Sequence, residues 1–406
     1  MNNGDVDAAL AAIDLYDPDG YVAGPPHEAL ELLRREDPVH WQDIPGQAGY
    51  WAVTRYDDLS TVARHPEVYS ASIGGVMLED LPAESLAMMQ DMLLAMDPPR
   101  HMDFRRHVAP EFTSRVIGRL ETRIREICRR ILTEAGVRRE VDFVHDVAAK
   151  VPSQVVGELV GIPEADWPRI HAWSEQQSGG QDPEFQTEDD AMQASIAMAM
   201  YAIGLAGARR EEPRDDLVTM MLGVEKDGHP ITDVEFGSFF VQLVVAGNDT
   251  TRTMLSSGLL ALLQHPDQLA ALRADPDRIP GALEEILRWA NPLHYFRRTA
   301  TRDTELGGTA IAAGDKVAMM YTSANRDESV FRDPRRFDIT RDPNPHLSFG
   351  TGEHFCLGVH LARLEGRIFF EELLAVFPTI ELTGDPVRQR SNLNNALKRL
   401  PVRLTA

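Results

Sequence analysis

A long apolar segment in the second half of the chain constrains the fold more than any other feature. Residues 236–263 read as one helix that is apolar on most of its faces. Such a helix is stable only where other elements cover it, so it should cross the core. The segment therefore predicts a large domain that is built around one central helix.

Other segments add further helices and a small β part. Helices are also predicted at residues 116–135, 279–289 and 357–377. Residues 38–53 alternate around a Pro-Gly turn, which is typical of a β-hairpin. Residues 298–320 predict short strands around Gly307-Gly308, and strand and turn return after residue 378. The predicted fold class is mainly α with a minor β part.

Composition and organisation favour one globular domain. The chain of 406 residues is 43% hydrophobic and 26% charged, which is close to average globular usage. It contains no repeat of fixed period and no low-complexity tract. We expect residues 1–20 to form a flexible acidic N-terminus and residues 21–406 to form the single domain.

The charge and the termini exclude several classes of protein. A net charge of −22 opposes nucleic-acid and anionic-membrane binding, because both need an electropositive face. No apolar run approaches the ~18 residues that a membrane span needs, so no membrane span is expected. The N-terminus lacks the pattern of a secretory signal. The two cysteines, Cys128 and Cys356, cannot build a disulfide framework, which fits a cytoplasmic location.

The most informative segment surrounds the second cysteine. Residues 346–358 read H-L-S-F-G-T-G-E-H-F-C-L-G, just before a predicted helix. The glycines allow close backbone approach, and backbone N–H groups beside a helix start can stabilise a thiolate. The loop is thus suited to present an ionised Cys356 sulfur to a flat or bulky group. Two alternatives stay open: a buried structural cysteine, and a poorly spaced zinc site from His354, Cys356 and His360.

A polar interruption marks the middle of the long apolar segment. Residues 246–251 read A-G-N-D-T-T, in which Gly247 costs a helix ~1 kcal/mol relative to alanine. Asp249 places a carboxyl group among apolar neighbours, and the hydroxyls of Thr250 and Thr251 can bond back to carbonyls one turn earlier. Several local rules are broken in one place, which indicates either a functional site or a polar kink.

These segments resemble the cytochromes P-450. The cysteine segment fits the pattern F-x-x-G-x-x-x-C-x-G, and A-G-N-D-T-T fits the family's oxygen-activation motif. An H-x-x-x-R segment precedes them, and E-x-x-R and P-x-R-F lie between them in family order. The resemblance runs from about residue 35 to the C-terminus. It implies the P-450 fold, a single helical domain with heme b buried between the long central helix and the cysteine loop.

The resemblance also implies roles for individual residues. Cys356 would be the iron ligand, Thr250 would hydrogen-bond dioxygen or its water, and Asp249 would relay protons from solvent. A helix bulge at Gly247 would leave room for the oxygen. The heme contacts implied by the family's pattern, several of them to the two propionates, are His101, Arg105, Ala246, Gly247, Arg298, His346, Phe349, Gly350, His354, Cys356 and Gly358.

Two further sets of residues are interpreted as structural. Glu285, Arg288 and Arg336 match the E-x-x-R and P-x-R-F motifs, and the resemblance implies a buried cluster that braces the cysteine loop. Cys128 lies on the apolar stripe of its predicted helix and is interpreted as an inert core residue.

The implied activity is that of a heme-thiolate monooxygenase. It would insert one oxygen atom from O2 into a hydrophobic small molecule. Several short sequence segments are similar to those of bacterial members that act on steroids, terpenoids and branched lipids. Electrons would come from NAD(P)H through a reductase and a soluble iron–sulfur ferredoxin to a monomeric enzyme. A tailoring oxygenase for polyketides or carrier-bound amino acids, and a heme sensor without turnover, stay open as alternatives.

The resemblance further predicts a substrate pocket and a docking surface. The pocket would be lined by residues 71–94, which are rich in Met and Leu, and by residues 174–184 and 292–296. Gln242, Val245 and Ala246 would line it from the long helix, and Gln242, His294 and Tyr295 would supply polar contacts. The arginines proposed to dock the ferredoxin are Arg105, Arg106, Arg335, Arg363 and Arg367.

Overall fold

The long helix begins at Asp233 and ends at Gln264 in a computed structural model, which describes residues 3–178, 181–184, 188–214, 216–226 and 229–405. A capping box starts this helix: the Glu235 N–H donates to Thr232 Oγ1 at 3.2 Å, and the Thr232 N–H donates to Glu235 Oε2 at 3.0 Å. It stops just before Pro266, which cannot donate within a helix. The predicted central helix is confirmed.

Helices make up 57% of the structure, so the mainly α fold class is confirmed. Besides the long helix they span Asn3–Ala11, His27–Glu36, Tyr56–Arg64, Ala83–Gln90, Arg100–Val108, Ser114–Ile117, Glu121–Arg138, Lys150–Val160, Trp167–Ser178, Glu188–Glu211, Leu217–Leu222, Pro266–Ala274, Ile279–Ala290, Tyr321–Ala324 and Val359–Val376. We call Ile279–Ala290 the brace helix and Val359–Val376 the proximal helix. The predicted helix at 116–135 is divided, because a 3₁₀ turn at Gly118–Leu120 separates its first residues from the main helix.

Two hydrophobic clusters meet on the long helix. Its N-terminal half contributes Phe236 and Phe239 to one cluster, and its C-terminal half contributes Leu255 and Leu259 to the other. All four side chains are almost fully buried. The helix therefore crosses the core, as its apolar character predicts, and its polar middle lies between the clusters.

The strands form one sheet of five strands and several smaller pairings. They span Val39–Ile44, Gln47–Val53, Tyr69–Ser70, Glu140–Asp142, Glu225–Lys226, His229–Pro230, Tyr295–Ala300, Thr304–Leu306, Thr309–Ile311, Lys316–Met320, Thr379–Leu382, Val387–Arg388, Leu397–Arg399 and Pro401–Thr405. The predicted hairpin is confirmed, with Trp41 opposite Trp51 and Gly46 in the turn at φ +76°. Its second strand pairs in parallel with Lys316–Met320, which pairs antiparallel with Tyr295–Ala300.

The N-terminal segment packs against this sheet before residue 20. Leu15 is buried, and its backbone N–H donates to Gln42 Oε1 at 2.9 Å. Tyr21 is also buried and donates from its hydroxyl to the Leu15 carbonyl at 3.0 Å. Contact with the domain therefore starts earlier than the predicted boundary at residues 20 and 21.

One surface helix has an unusually apolar composition. Residues Ala191–Glu211 are long and apolar enough to meet the criteria for a membrane span, but only 22% of the apolar stretch of 18 residues within them is buried. Met192, Ile196 and Met200 are exposed along one face. Within this helix the sequence has an unbroken run of apolar and small residues at 196–208, which is shorter than the ~18 residues that a span needs. Helices of soluble proteins meet the same criteria, so the finding is weak support for a span.

Candidate active site

One cavity is lined by both of the segments that the sequence analysis singled out. It encloses about 1670 Å³ of space free of protein atoms, including its opening to solvent. The long helix lines it with Phe239, Gln242, Leu243, Ala246, Gly247, Thr250, Thr251 and Met254. The cysteine loop, residues 346–358, lines it with Ser348, Phe349, Gly350, Thr351, His354, Phe355, Cys356, Leu357 and Gly358. The predicted meeting of these two segments is thus observed.

Glycine backbone conformations shape the cysteine loop. Gly350 and Gly352 have φ of +70° and +74°, which larger residues rarely adopt. A Cβ on Gly352 would also collide with the Ala63 carbonyl oxygen. The loop closes through the Cys356 N–H, which donates to the Phe349 carbonyl at 2.9 Å. These constraints hold the Cys356 sulfur on the cavity wall.

The electrostatics of Cys356 combine opposing effects. Burial raises the pKa of the Cys356 thiol, while a backbone hydrogen bond from Gly358 and the guanidinium groups of Arg105 and Arg363 lower it. Cys356 lines the cavity and is partly exposed, whereas Cys128 is buried in the core. The arrangement thus disfavours the interpretation as a buried structural cysteine.

The three residues of the alternative zinc site do not converge. Cys356 and His354 line the cavity, whereas His360 lines a separate groove with Arg363 and Arg367. Across the described ranges, no three His, Cys, Asp or Glu side chains come together in a way that could hold a metal ion. A protein-only zinc site is therefore not supported.

Four of the predicted propionate contacts gather at the cavity: His101, Arg105, Arg298 and His354. The rings of His101 and His354 lie 4.2 Å apart. Neither nitrogen of His101 has a hydrogen-bond partner, and neither does Nε2 of His354, although all three atoms are buried. Burial, together with the nearby arginines, lowers the pKa of His101 to about 4 and that of His354 to about 2. Such unpaired groups beside two cations are suited to bind carboxylates.

His346 does not join this cluster, which corrects the sequence analysis. Its Nε2 lies 3.1 Å from Glu284 Oε2, and its Nδ1 accepts from the Ser348 N–H at 3.3 Å. Burial opposes ionisation of Glu284, but hydrogen bonds from His346 and Arg363 outweigh it and lower the pKa of Glu284 to about 2. His346 thus pairs with the brace helix, whereas the cysteine loop lines the cavity from Ser348 onward.

The long helix presents one face to the cavity. Gln242, Ala246 and Thr250 are spaced four residues apart and all line it. Val245 does not line the cavity and instead packs against the hydrophobic cluster that contains Phe236 and Phe239, which corrects its prediction. Thr250 Oγ1 donates to the Ala246 carbonyl at 2.7 Å, as helical threonines can. The hydroxyl oxygen keeps its capacity to accept a hydrogen bond.

The predicted bulge at Gly247 is not present, since Asp233–Gln264 is assigned as α-helix without interruption. The glycine has a different structural reason. A Cβ at Gly247 would lie 2.7 Å from Val156 Cγ2, on the helix Lys150–Val160. Gly247 therefore permits close helix packing while its own backbone lines the cavity.

Asp249 lies beside the cavity rather than on its wall. Its Oδ1 is 3.3 Å from Arg252 Nη2, and the two side chains are 14% and 12% exposed. The preceding residue, Asn248, donates from Nδ2 to Ser174 Oγ at 3.2 Å. Asp249 is thus partly accessible to solvent and adjacent in sequence to Thr250, which faces inward.

The buried brace contains a different arginine from the one predicted. Arg288 donates to both carboxylate oxygens of Glu285 at 2.7 Å. The third guanidinium belongs to Arg341, whose Nε donates to Glu285 Oε2 at 3.1 Å. Arg336 contributes its backbone carbonyl, which accepts from Arg288 at 3.0 Å, and its side chain is exposed. The turn after Phe337 brings Arg341 back to the carboxylate.

Asn325 and Ser348 link this brace to the cysteine loop, and the sequence analysis missed both. The Asn325 carbonyl accepts from Arg288 at 2.9 Å, while its side chain accepts from the Leu347 N–H at 2.6 Å and donates to Ser348 Oγ at 2.8 Å. Ser348 in turn donates to the Leu287 carbonyl at 2.7 Å. Neither residue belongs to a spaced motif, so no local signal marks them.

A buried acid on the proximal helix was also missed. Glu365 lines the cavity, is almost fully buried and has no partner for Oε2. Burial raises the pKa of Glu365 well above its usual value, because a charged carboxylate is poorly solvated there.

The remaining cavity wall is largely apolar, but it uses fewer of the predicted residues. From residues 71–94 only Val76, Leu93 and Leu94 line it, and the methionines do not. Among the described residues of 174–184, none lines it. His294 and Tyr295 are buried elsewhere, and the His294 ring packs 4.7 Å from Tyr21. Pro292, Leu293 and Phe296 line the cavity from the predicted range 292–296, and alternation along the strand places Arg298 on the same side as Phe296.

The donor set fits heme. A sulfur on the cavity wall can ligate iron, apolar walls can contact a planar ring, and the unpaired nitrogens of His101 and His354 lie beside Arg105 and Arg298, where carboxylates would bind. Phe349 and the glycines of the cysteine loop allow a flat group to approach the backbone closely.

Comparison with known proteins agrees with this geometry. The family model described as Cytochrome P450 matches residues 163–404. The chain is 39% identical over 390 residues to a steroid C26-monooxygenase of Mycolicibacterium smegmatis, over 94% of this chain and 91% of the relative. It is 42% identical over 386 residues to a methyl-branched lipid omega-hydroxylase of Mycobacterium tuberculosis, over 92% and 90%. A solved cytochrome P450 of Mycobacterium marinum in complex with pseudoionone aligns with a TM-score of 0.91 at 41% identity, over 97% and 98%.

Proposed function

Because this chain belongs to the cytochrome P450 family, we propose that it hydroxylates an apolar small molecule of the steroid, terpenoid or branched-lipid type. Membership makes the chain an oxidoreductase that uses heme, O2 and reducing electrons from NAD(P)H. The observation that carries the proposal is that Cys356 and Thr250 share the wall of one largely apolar cavity. The names of the two curated relatives support the substrate class.

In this proposal each residue of the site has a role that follows from its position. Cys356 would ligate the heme iron, and Arg105, Arg298, His101 and His354 would hold the carboxylates. When bound, heme would supply the redox chemistry, and a thiolate ligand would add electron density to the iron, which favours O–O cleavage. Thr250 would hold a proton donor or a water molecule at its hydroxyl oxygen, and Asp249 would move protons from solvent toward that hydroxyl. The apolar walls exclude other water.

Spectral titration and product analysis test this function directly. Steroids, terpenoids and methyl-branched lipids that displace water from the site should shift the Soret band of the holoenzyme. With a ferredoxin, a reductase and NADH, at least one of these compounds should gain one oxygen atom. Binding without any product would instead favour the heme sensor, and turnover of carrier-bound substrates alone would favour the tailoring oxygenase.

Replacing Thr250 with alanine should uncouple electron use from product formation. The variant should bind heme and substrate normally, because the Thr250 hydroxyl bonds only to its own helix, at the Ala246 carbonyl. We expect the ratio of product to NADH to fall by about tenfold, with peroxide accounting for the difference, since positioned proton transfer is lost. Thr250→Ser keeps the hydroxyl and should stay close to wild type. Unchanged coupling in Thr250→Ala would contradict the assigned role.

The proposed electron donor is a soluble ferredoxin, but the arginines suggested by the sequence are already engaged. Arg363 makes two hydrogen bonds to Glu284, at 2.8 and 2.7 Å. Arg367 pairs with Glu121 and Glu371, Arg335 with Glu31, and Arg106 with Asp103, while Arg105 donates to the Phe355 carbonyl. The charges of the four arginines in ion pairs are partly neutralised, so these residues make a weaker docking patch than the sequence suggests.

Two exposed arginines offer a better docking site at the same groove. The groove lined by Arg363 and Arg367 is also lined by Ser114 and Gly118, and the neighbours Arg115 and Arg119 are exposed. Its other wall is the proximal helix, which begins three residues after Cys356. We therefore extend the proposed ferredoxin surface to this pair.

Reversing both charges should slow electron delivery. Arg115→Glu with Arg119→Glu should lower ferredoxin-driven turnover by about tenfold at low salt, with a smaller effect at high salt. Peroxide-driven turnover and substrate affinity should not change. Arg130→Glu with Arg302→Glu is a matched control, since neither residue lines the groove. Equal loss in both double variants would overturn this docking site.

We also propose a cytoplasmic, monomeric protein. The two cysteines lie far apart, since Cys128 is buried in the core and Cys356 lines the cavity, so neither supports an oxidising compartment.

A further inference from the structure

Gln242 stands out on the cavity wall because its neighbours on the long helix are apolar. Among the described residues, this helix lines the cavity with Phe239 and Leu243 on either side of Gln242. Ala246 follows one turn later. Gln242 is thus the only polar residue in this described set on the N-terminal side of Ala246. Its amide oxygen is buried and has no hydrogen-bond partner.

An unpaired amide oxygen in such a place is costly. Leaving a buried acceptor unsatisfied is unfavourable, so a purely structural role would favour an apolar residue at this position. The oxygen is enclosed in this structure, and rotation about the last side-chain torsion, which exchanges the amide oxygen and nitrogen, can turn it toward the cavity that Gln242 lines. The amide is therefore available to a bound molecule.

The position of Gln242 also sets a distance. Gln242, Ala246 and Thr250 lie on one face at intervals of four residues. A helix rises 1.5 Å per residue, which separates Gln242 from Thr250 by about 12 Å along the axis. A molecule that reaches both must be elongated and apolar between its ends.

We propose that Gln242 is a specificity-determining residue that hydrogen-bonds the hydroxyl end of an elongated apolar substrate, while the carbon to be oxidised lies about two helical turns away, beside Thr250. A hydroxyl group suits this site because it can donate to the unpaired amide oxygen, which an ether oxygen cannot do. The inference rests on the proposed function and specifies the substrate class for the same site.

Paired probes test this role in the holoenzyme by Soret titration, which measures binding without turnover. 1-Dodecanol carries the hydroxyl, and dodecyl methyl ether keeps the oxygen but lacks the donor. Gln242→Leu should weaken dodecanol binding by about tenfold, the equivalent of one hydrogen bond, and change ether binding by no more than about twofold. Leu243→Met, on the same wall, is the matched control and should alter both affinities alike.

The outcomes separate this inference from the proposed function. If wild type binds alcohol and ether equally, or if Gln242→Leu weakens both equally, the role of Gln242 is wrong. If no apolar compound binds or is oxidised, the proposed function fails instead. Heme content and the carbon monoxide spectrum of Gln242→Leu verify that the variant is folded, and Gln242→Asn, with a shorter reach, gives an independent reading if they are altered.

Discussion

Replacing Cys356 with serine should remove the red-shifted Soret band of the reduced carbon monoxide complex and abolish product formation. That band reports thiolate ligation, and a serine hydroxyl cannot supply the same electron density to iron. Cys356 is the one cysteine whose sulfur lines the cavity among the described residues, where backbone hydrogen bonds hold its loop. The measurement is a difference spectrum on equal amounts of purified protein.

Cys128 is the matched control for this experiment. It is fully buried in the hydrophobic core, on the helix Glu121–Arg138, and burial raises the pKa of its thiol far above the usual value. Cys128→Ala should therefore keep both the band and the activity, with only a modest loss of stability. A thiolate band that persists in Cys356→Ser would disprove the ligand assignment.

Replacing Glu285 with alanine should cause the largest loss of stability. Glu285 and Arg288 have fully buried side chains, and Arg341 is 8% exposed. Without the carboxylate, two guanidinium groups stay buried with no countercharge. Removing one partner of a buried pair costs about 3–5 kcal/mol, and at ~2 °C per kcal/mol for a large chain the melting temperature should fall by about 5–10 °C.

The effect should extend to the cysteine loop, because Arg288 also holds the Asn325 carbonyl and Asn325 holds Leu347. We therefore expect Glu285→Ala to retain less heme as well. Arg335→Gln is the control: this exposed residue pairs with Glu31 at the surface, where an ion pair contributes at most about 1 kcal/mol. Calorimetry that finds equal losses in the two variants would show that the brace does not stabilise the fold.

In the same brace, one contact could be predicted from the sequence and another could not. Glu285 and Arg288 are three residues apart on one helix, so helical geometry alone predicts their contact. The third arginine arrives through an irregular turn. Both Arg336 and Arg341 are near enough in sequence, and only the path of the chain after Phe337 decides that Arg341 reaches the carboxylate.

The cavity shows the same division. The sequence alone determined the central helix, the hairpin, the cysteine loop and the shared face of Ala246 and Thr250, because periodicity and glycine positions are properties of neighbouring residues. Only the tertiary structure decided that His354 faces the cavity while His346 turns to Glu284, and that Gln242 rather than Val245 lines it. Side-chain partners depend on which distant elements pack together, and the free energy of that packing cannot be predicted from the spacing of neighbouring residues.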